Sequence, residues 1–463
     1  MKEAPFLNLE PPKIIRPGIR PSTILRAWSC LVLLGMISAY AETTPAAPPS
    51  VGAEAGGKAE VAASQDEVEV SQDSVRVAVF NIQELTAEKI LSEPLGENPQ
   101  LISAGRIIRE LDPDILLINE VDYQPQSPGS PSLPEVFWQR YVLGQNRLPE
   151  GARGENTSLR NMPPEDLSPE DMSPEDMADD EAWHWVYLPV NTGMPSGLDL
   201  NRNDSVDDPE DAWGFGRYPG QYGMALVSKY PVQRDRIRTF QGLRWISMPG
   251  HLMPDGRDGR PEWYDPEAAA VLRLSSKSHW DVPVNVDGEI LHLLASHPTP
   301  PVFDGEEDRN GRRNHDEIRL WVDYVSGGEQ ASYIVDDRGL RGGLEAGTSF
   351  VVLGDLNADP HRPGPKGPPA IQQLLRHPRV QDPAPKSVGQ RPAARQRIEA
   401  GDTFQTTSDY GRLDYLLPSA NLKVQGSGIF LPPEGDPRRS WVLGETSAGD
   451  HQMLWLDLLM KGR

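Results

Sequence analysis

Short apolar runs that end on a polar residue recur from about residue 74 almost to the end of the chain, and they set the fold class. "SVRVAVFNIQELT" has a β-branched apolar core, Val75 to Phe80, which predicts a buried strand. In "PQLISAGRIIRELDPD" the apolar positions Leu101, Ile102, Ile107, Ile108 and Leu111 predict an amphipathic helix stopped before Pro113. "DILLINEVD" predicts the next strand, so the ordered chain begins strand, helix, strand. "YGMALVSKYPV", "EILHLLASH", "SFVVLGDLN", "GRLDYLLPS" and "DHQMLWLDLLM" continue the strands. Helices are predicted at "NHDEIRLWVDYVS", with Asn314 as its cap, and at "PPAIQQLLRH". No strong linker divides these elements, so one large α/β domain over residues 73–463 is expected.

The pattern is interrupted at residues 124–215, which hold an internal repeat, "PPEDLSPEDMSPEDM". Each Ser-Pro-Glu-Asp suits a helix start, but a repeat every five residues keeps no helical face and its prolines break a continued helix. An acidic, Pro-rich surface insertion is the reading. It lacks the glycine-punctuated ligand spacing of calcium loops. Between Glu150 and Asp211 stand 17 acidic and 3 basic residues.

The chain has 463 residues. Its start reads as a targeting segment. Lys2, Lys13, Arg16, Arg20 and Arg26 precede the apolar "AWSCLVLLGMISAYA", which closes on Ala39-Tyr40-Ala41. A basic region, a short apolar core and an A-x-A site predict a signal peptide at residues 1–41, with a retained anchor helix as the alternative. Residues 42–72 read as a disordered leader. Export to the periplasm or the exterior follows, as does a mature chain with no transmembrane segment, expected to be a monomer. Cys30 is the only cysteine and would be removed, which excludes disulfides, cysteine catalysis and thiolate metal sites. Cleavage would take the net charge from −23 to −26, which argues against a nonspecific grip on nucleic-acid backbone. A phosphate substrate stays open, because a divalent cation can reverse the local sign.

Charge and pattern meet at the strand ends. Asn81, Glu120, His297 and Asp355 with Asn357 end predicted strands, Asp414 sits inside "GRLDYLL", and Asp450 with His451 precede the last strand. Strand ends converge on one rim of a sheet, where loop-borne chemistry collects. Carboxylates and amide oxygens there suit Mg2+ or Mn2+, Asn and His can hold phosphate oxygens, and a His beside an Asp can serve as acid, base or cation. Taken singly, each has a plainer reading. Asp355 and Asn357 can cap a turn, Glu120 can be an exposed strand end, Asp414 can pair with Arg412, and His297 can belong to a rigid proline turn.

The ordered set "FNIQE", "INEVD", "GMALVSKYPV", "ASHPTPP", "LGDLNADP", "RLDYLLP" and "GDHQMLWL" resembles the endonuclease/exonuclease/phosphatase superfamily over roughly residues 75–460, apart from the acidic insertion. The resemblance implies a four-layer sandwich, two packed mixed β-sheets flanked by helices, with the site at one end. It implies that Glu120 is the principal ligand of Mg2+ (or Mn2+ or Ca2+), helped by Asn81, with Asp450 near the metal. Asp355 would orient or deprotonate the attacking water. Asn357, Asn81 and His297 would hold the phosphate, and His451 would face it, oriented by Asp414. Two departures from the family pattern stand out. Gln83 replaces an acid that some members carry two residues after the first Asn, with Glu84 as the acid nearest that place. Gly449 replaces a serine before the final Asp-His pair.

Other polar residues read as structure. His292 suits a core position, and His184, His251, His279, His361 and His377 lack partners at ligand spacing. Arg309, Arg312 and Arg313 suit phosphate recognition, but Glu306, Glu307 and Asp308 nearly balance them and favour a salt-bridged loop. The function expected is a divalent-metal-dependent phosphoester hydrolase whose substrate is a phosphate ester, with nucleic acid and a phospholipid headgroup both open. A catalytically silent binding protein of the same fold is the alternative.

Overall fold

The strands form where the alternation places them. The computed structural model describes residues 74–92, 94, 96–127, 129–144, 183–254, 263–392 and 402–460. These all belong to the unit Val68–Arg463. The predicted signal peptide, the whole of the leader and the Ser-Pro-Glu-Asp repeats lie outside the described residues. The strands are β1 (Ser74–Leu85), β2 (Ile115–Val121), β3 (His184–Val186), β4 (Gly223–Ser228), β5 (Arg238–Thr239), β6 (His279–Val286), β7 (Glu289–Ser296), β8 (Ser349–Asp355), β9 (Asp414–Pro418), β10 (Lys423–Ile429) and β11 (Leu454–Leu459). One sheet runs β10-β11-β1-β2-β4-β3 and the other β5-β6-β7-β8-β9. β1 with β2 and β7 with β8 are parallel, and the remaining pairings are antiparallel. A parallel pair needs a crossover, supplied by helix Pro99–Leu111 in the first case and Arg309–Ser326 in the second.

Period-two alternation sorts the side chains into layers. Val75, Val77 and Val79 of β1 meet Val351 and Leu353 of β8 in the core between the sheets. Ala78 and Phe80 point the other way, onto Leu101, Ala104 and Ile108 of the first helix. Phe350 and Val352 likewise meet Ile318 and Trp321 of the second. Two mixed sheets with helices outside them make the four-layer α/β sandwich expected. Each fully buried Val, Leu, Ile or Phe here contributes roughly 1.5–3 kcal/mol. No helix among the described residues is long and apolar enough to cross a membrane.

Helix ends show where local signals suffice. Asn98 caps the first helix by accepting from Leu101 N–H, and the chain leaves through Asp112 at φ 41°. The second helix starts at Arg309, not at Asn314. An upstream carboxylate explains the earlier start, since Asp304 Oδ2 accepts the Asn310 N–H at 2.6 Å. Asn314 is buried inside the helix, and its amide donates to the Thr299 and Leu356 carbonyls, each at 2.9 Å. "PPAIQQLLRH" forms a single helical turn, Gln372–Leu375.

Parts of residues 124–215 are integral to the fold. Helix Leu133–Phe137 and the turn Trp138–Val142 pack on the first helix, and β3 edges the first sheet. Trp138 meets Trp183 with ring centroids 4.8 Å apart, so the chain on either side of residues 145–182 is brought together.

Gly354 allows β8 to lie close to β7. Its φ is +143°, and a Cβ there would sit 1.9 Å from the Ser296 carbonyl oxygen. Gly354→Ala is expected to cost roughly 2–4 kcal/mol in urea unfolding. A variant within 0.5 kcal/mol of the parent would contradict this close approach.

Candidate active site

The site begins with a bulge. The β1–β2 register shifts between Asn81 and Leu85, and the β2–β4 register shifts between Asn119 and Val121. Glu120, within that irregularity, has φ 67°. A bulge re-aims a side chain, and here it brings Glu120 to Asn81. Asn81 Nδ2 donates to Glu120 Oε1 at 3.1 Å and to Asp355 Oδ2 at 3.0 Å. One amide therefore ties together carboxylates from the two sheets. The second Glu120 oxygen accepts Glu84 N–H at 2.9 Å, so Glu84 supports this ligand through its backbone.

Asp355 and Asp414 are direct partners across β8 and β9. Two carboxylates facing each other repel unless a cation intervenes. His451 supplies one: its Nδ1 lies 2.7 Å from Asp414 Oδ2, and its Nε2 lies 3.8 Å from Asp355 Oδ2. Burial would lower the His451 pKa, but Asp414 and then Asp355 override it and hold the imidazole well above its ordinary range. Burial is also the main cause raising Asp355, to about 7, against the lowering pull of His451. Arg412, the alternative partner for Asp414, instead grips Asp382 at 2.6 and 2.8 Å.

His297 Nε2 approaches the same Asp355 oxygen at 3.6 Å. Burial, with Lys277 and His451 adding to it, holds His297 well below the usual imidazole range, so it is neutral. Separations of 3.6 and 3.8 Å are too long for hydrogen bonds and leave room for a ligand oxygen. Asp355 is fixed on its other side, where Oδ1 accepts Asn357 N–H at 3.0 Å and its own N–H donates to Asn119 Oδ1 at 3.2 Å. Asn357 lies just past the strand at φ 52°, and its amide donates to the Pro298 carbonyl at 3.1 Å, leaving one amide hydrogen unspent.

The arrangement brings together Asn81, Glu120, His297, Asp355, Asn357, Asp414 and His451. Asp450 is half-buried, and its charge is one of those that raise the His451 pKa. Its carbonyl accepts from Arg391 at 3.0 Å, which helps to set the following His451.

A family model for the endonuclease/exonuclease/phosphatase family matches residues 78–451. The chain belongs to this family. Its members are typically metal-dependent phosphoesterases. Solved structures similar to it include the endonuclease/exonuclease/phosphatase from Beutenbergia cavernae DSM 12333, at 16% identity over 84% of this chain and 72% of that one, with TM-score 0.45. The family protein from Leptotrichia buccalis C-1013-b shares 12% identity over 82% and 98%, with TM-score 0.39. The human Nocturnin catalytic domain with bound sulfate anion shares 12% over 83% and 94%, with TM-score 0.40. No curated protein matches.

The oxygen set suits the divalent cation that the family uses. Asn81 Oδ1 is buried without a partner beside the Glu120 carboxylate, an acceptor that a hard cation would satisfy. Ligand atoms of Asp355, Asp414 and His451 also lie within 4.8 Å of one another. His451 is the obstacle there, because an imidazole kept protonated by two carboxylates has no lone pair for a metal. Glu120 and Asn81 are therefore the better ligands, with Asp355 next to them.

The two departures from the family's pattern are neighbours in space. A Cβ at Gly449 would meet the Gln83 Cβ at 3.0 Å and the Gln83 N at 3.1 Å, so a serine there would crowd the strand that carries Asn81. Several supporting residues carried little sequence signal. Asn119, Glu317 and Thr407 hold backbone N–H groups of Asp355, Ser276, Thr299 and Asp414. Of these, Asn119 had a readable cue, a polar side chain inside the apolar run of β2.

Proposed function

We propose that this family member is an exported, divalent-cation-dependent phosphoester hydrolase that attacks phosphorus with water. The observation that carries the reading is the convergence on one Asp355 oxygen of the Asn81 amide and the two imidazoles, His297 and His451. Glu120 and Asn81 would hold Mg2+ (or Mn2+ or Ca2+), which, when bound, neutralises charge developing on phosphate oxygens. Asp355 takes the proton from the attacking water as the new P–O bond forms and the ester P–O bond breaks. The His451 imidazolium, held by Asp414, stabilises the phosphoryl oxygens and is placed to protonate the departing oxygen. Neutral His297 and the remaining amide hydrogen of Asn357 orient the phosphate. Export is supported by the basic residues and apolar run that end at Ala41.

The test offers the purified protein bis- and mono-p-nitrophenyl phosphate, plasmid DNA, RNA, sphingomyelin and sugar phosphates, with and without a chelator. Turnover of at least one, lost on chelation and restored by Mg2+, Mn2+ or Ca2+, is the expected result. No turnover with any of the three cations would favour a silent binding protein instead.

A further inference from the structure

A cleft of about 430 Å³ opens beside Glu120 and His297. Leu200, Tyr264, Leu272 and Val302 form an apolar wall, and three cations line it: Lys277, Arg309 and Arg313. The arginines are occupied. Arg309 pairs with Glu307 and, at 2.9 Å, with Glu210. Arg313 donates to the carbonyls of Trp213, Leu274 and Arg273 at 2.6–2.8 Å.

Lys277 is different. It is 6% exposed, just ahead of β6, and its hydrogen bond is a long one, 3.4 Å to the Pro298 carbonyl. Among the described residues it forms no ion pair. The carboxylates whose charge it feels are Glu317, Asp355 and Glu120. Glu317 spends both oxygens on the N–H groups of Ser276 and Thr299, at 2.7 and 2.6 Å. Glu120 spends both on Asn81 and Glu84. A buried ammonium without a dedicated counter-ion is costly, and burial accordingly lowers its pKa.

A second observation points the same way. Ser276 Oγ and Thr299 Oγ1 are buried without hydrogen-bond partners, and both residues line this cleft. Glu317 holds the backbone of both, so one carboxylate stations the two hydroxyls in the cleft that Lys277 and His297 also line. Two hydroxyls without partners and an ammonium with one long hydrogen bond, collected at the edge of a carboxylate-rich site, form a cradle for an anionic oxygen.

We propose that Lys277, with the Ser276 and Thr299 hydroxyls, binds a non-bridging oxygen of the phosphoryl group under attack. This rests on the phosphoester-hydrolase reading, and inorganic phosphate separates the two. Phosphate binding is measured by calorimetry, without turnover, on the wild-type protein, Lys277→Met and Lys277→Arg; KM and product inhibition by phosphate are measured alongside. Lys277→Met is expected to weaken phosphate binding about tenfold or more, with Lys277→Arg retaining part of it. KM for p-nitrophenyl phosphate should rise in parallel.

If Lys277 only balances neighbouring carboxylates, Lys277→Met binds Mg2+ more tightly and phosphate as before, which overturns the proposal. Should Lys277→Met fail to fold, Ser276→Ala and Thr299→Val carry the test. Weaker phosphate binding at unchanged melting temperature supports the cradle, and unchanged binding in both refutes it. A wild-type protein that binds phosphate through Lys277 but hydrolyses no ester would remove the hydrolase reading and leave the cradle standing.

Discussion

Asp355→Asn is expected to lower hydrolysis of the best phosphoester substrate by about 10²–10⁴-fold, the range lost with a general base. The substitution keeps the shape of the side chain and removes its charge. It also ends the face-to-face repulsion between Asp355 and Asp414. Stability should therefore hold or rise while activity collapses, and melting curves run beside the kinetics separate the two effects. Activity within tenfold of the parent would show that Asp355 does not handle the nucleophile, because its carboxylate is the one on which Asn81, His297 and His451 converge.

Asp414→Asn tests the other side of the pair. Wild-type rate should be bell-shaped in pH, since the active form joins an Asp355 carboxylate to a His451 imidazolium. The carboxylate is lost as pH falls through a pKa that burial raises to about 7, and this limb moves to lower pH as Mg2+ is increased. The imidazolium is lost as pH rises through a pKa that Asp414 and Asp355 hold above the ordinary range, against the pull of burial. Removing Asp414 leaves burial dominant, so the His451 pKa falls and the alkaline limb moves to lower pH by about one unit or more. The limbs belong to the coupled pair. An alkaline limb unmoved in Asp414→Asn would mean that another group sets it.

The parts legible in the sequence were those fixed by local pattern. Short apolar runs mark the strands, and the polar residue ending a run marks Asn81, Glu120, His297 and Asp355 without knowledge of their neighbours. What was not legible came from distant partners. Asn314 resembled a helix cap because it precedes the apolar stripe; Asp304 caps an earlier turn and releases Asn314 to bridge two loops. Arg309 belongs to the salt-bridged loop that the sequence favours, through Glu307, but its second partner Glu210 and the carbonyls that hold Arg313 are distant in the chain. Lys277 carries no cue among its neighbouring serines, because a cation's availability depends on which groups from distant parts of the chain lie near it.

The contact between Trp138 and Trp183 has a consequence of its own. It fixes the two stumps of the acidic stretch at a separation that does not depend on how many residues hang between them. Lengthening a connection whose ends are already held is thermodynamically cheap, about 0.6 kcal/mol per doubling. The indole clasp thus lets the acidic stretch grow, shrink or change composition in evolution while the hydrolytic rim keeps its geometry.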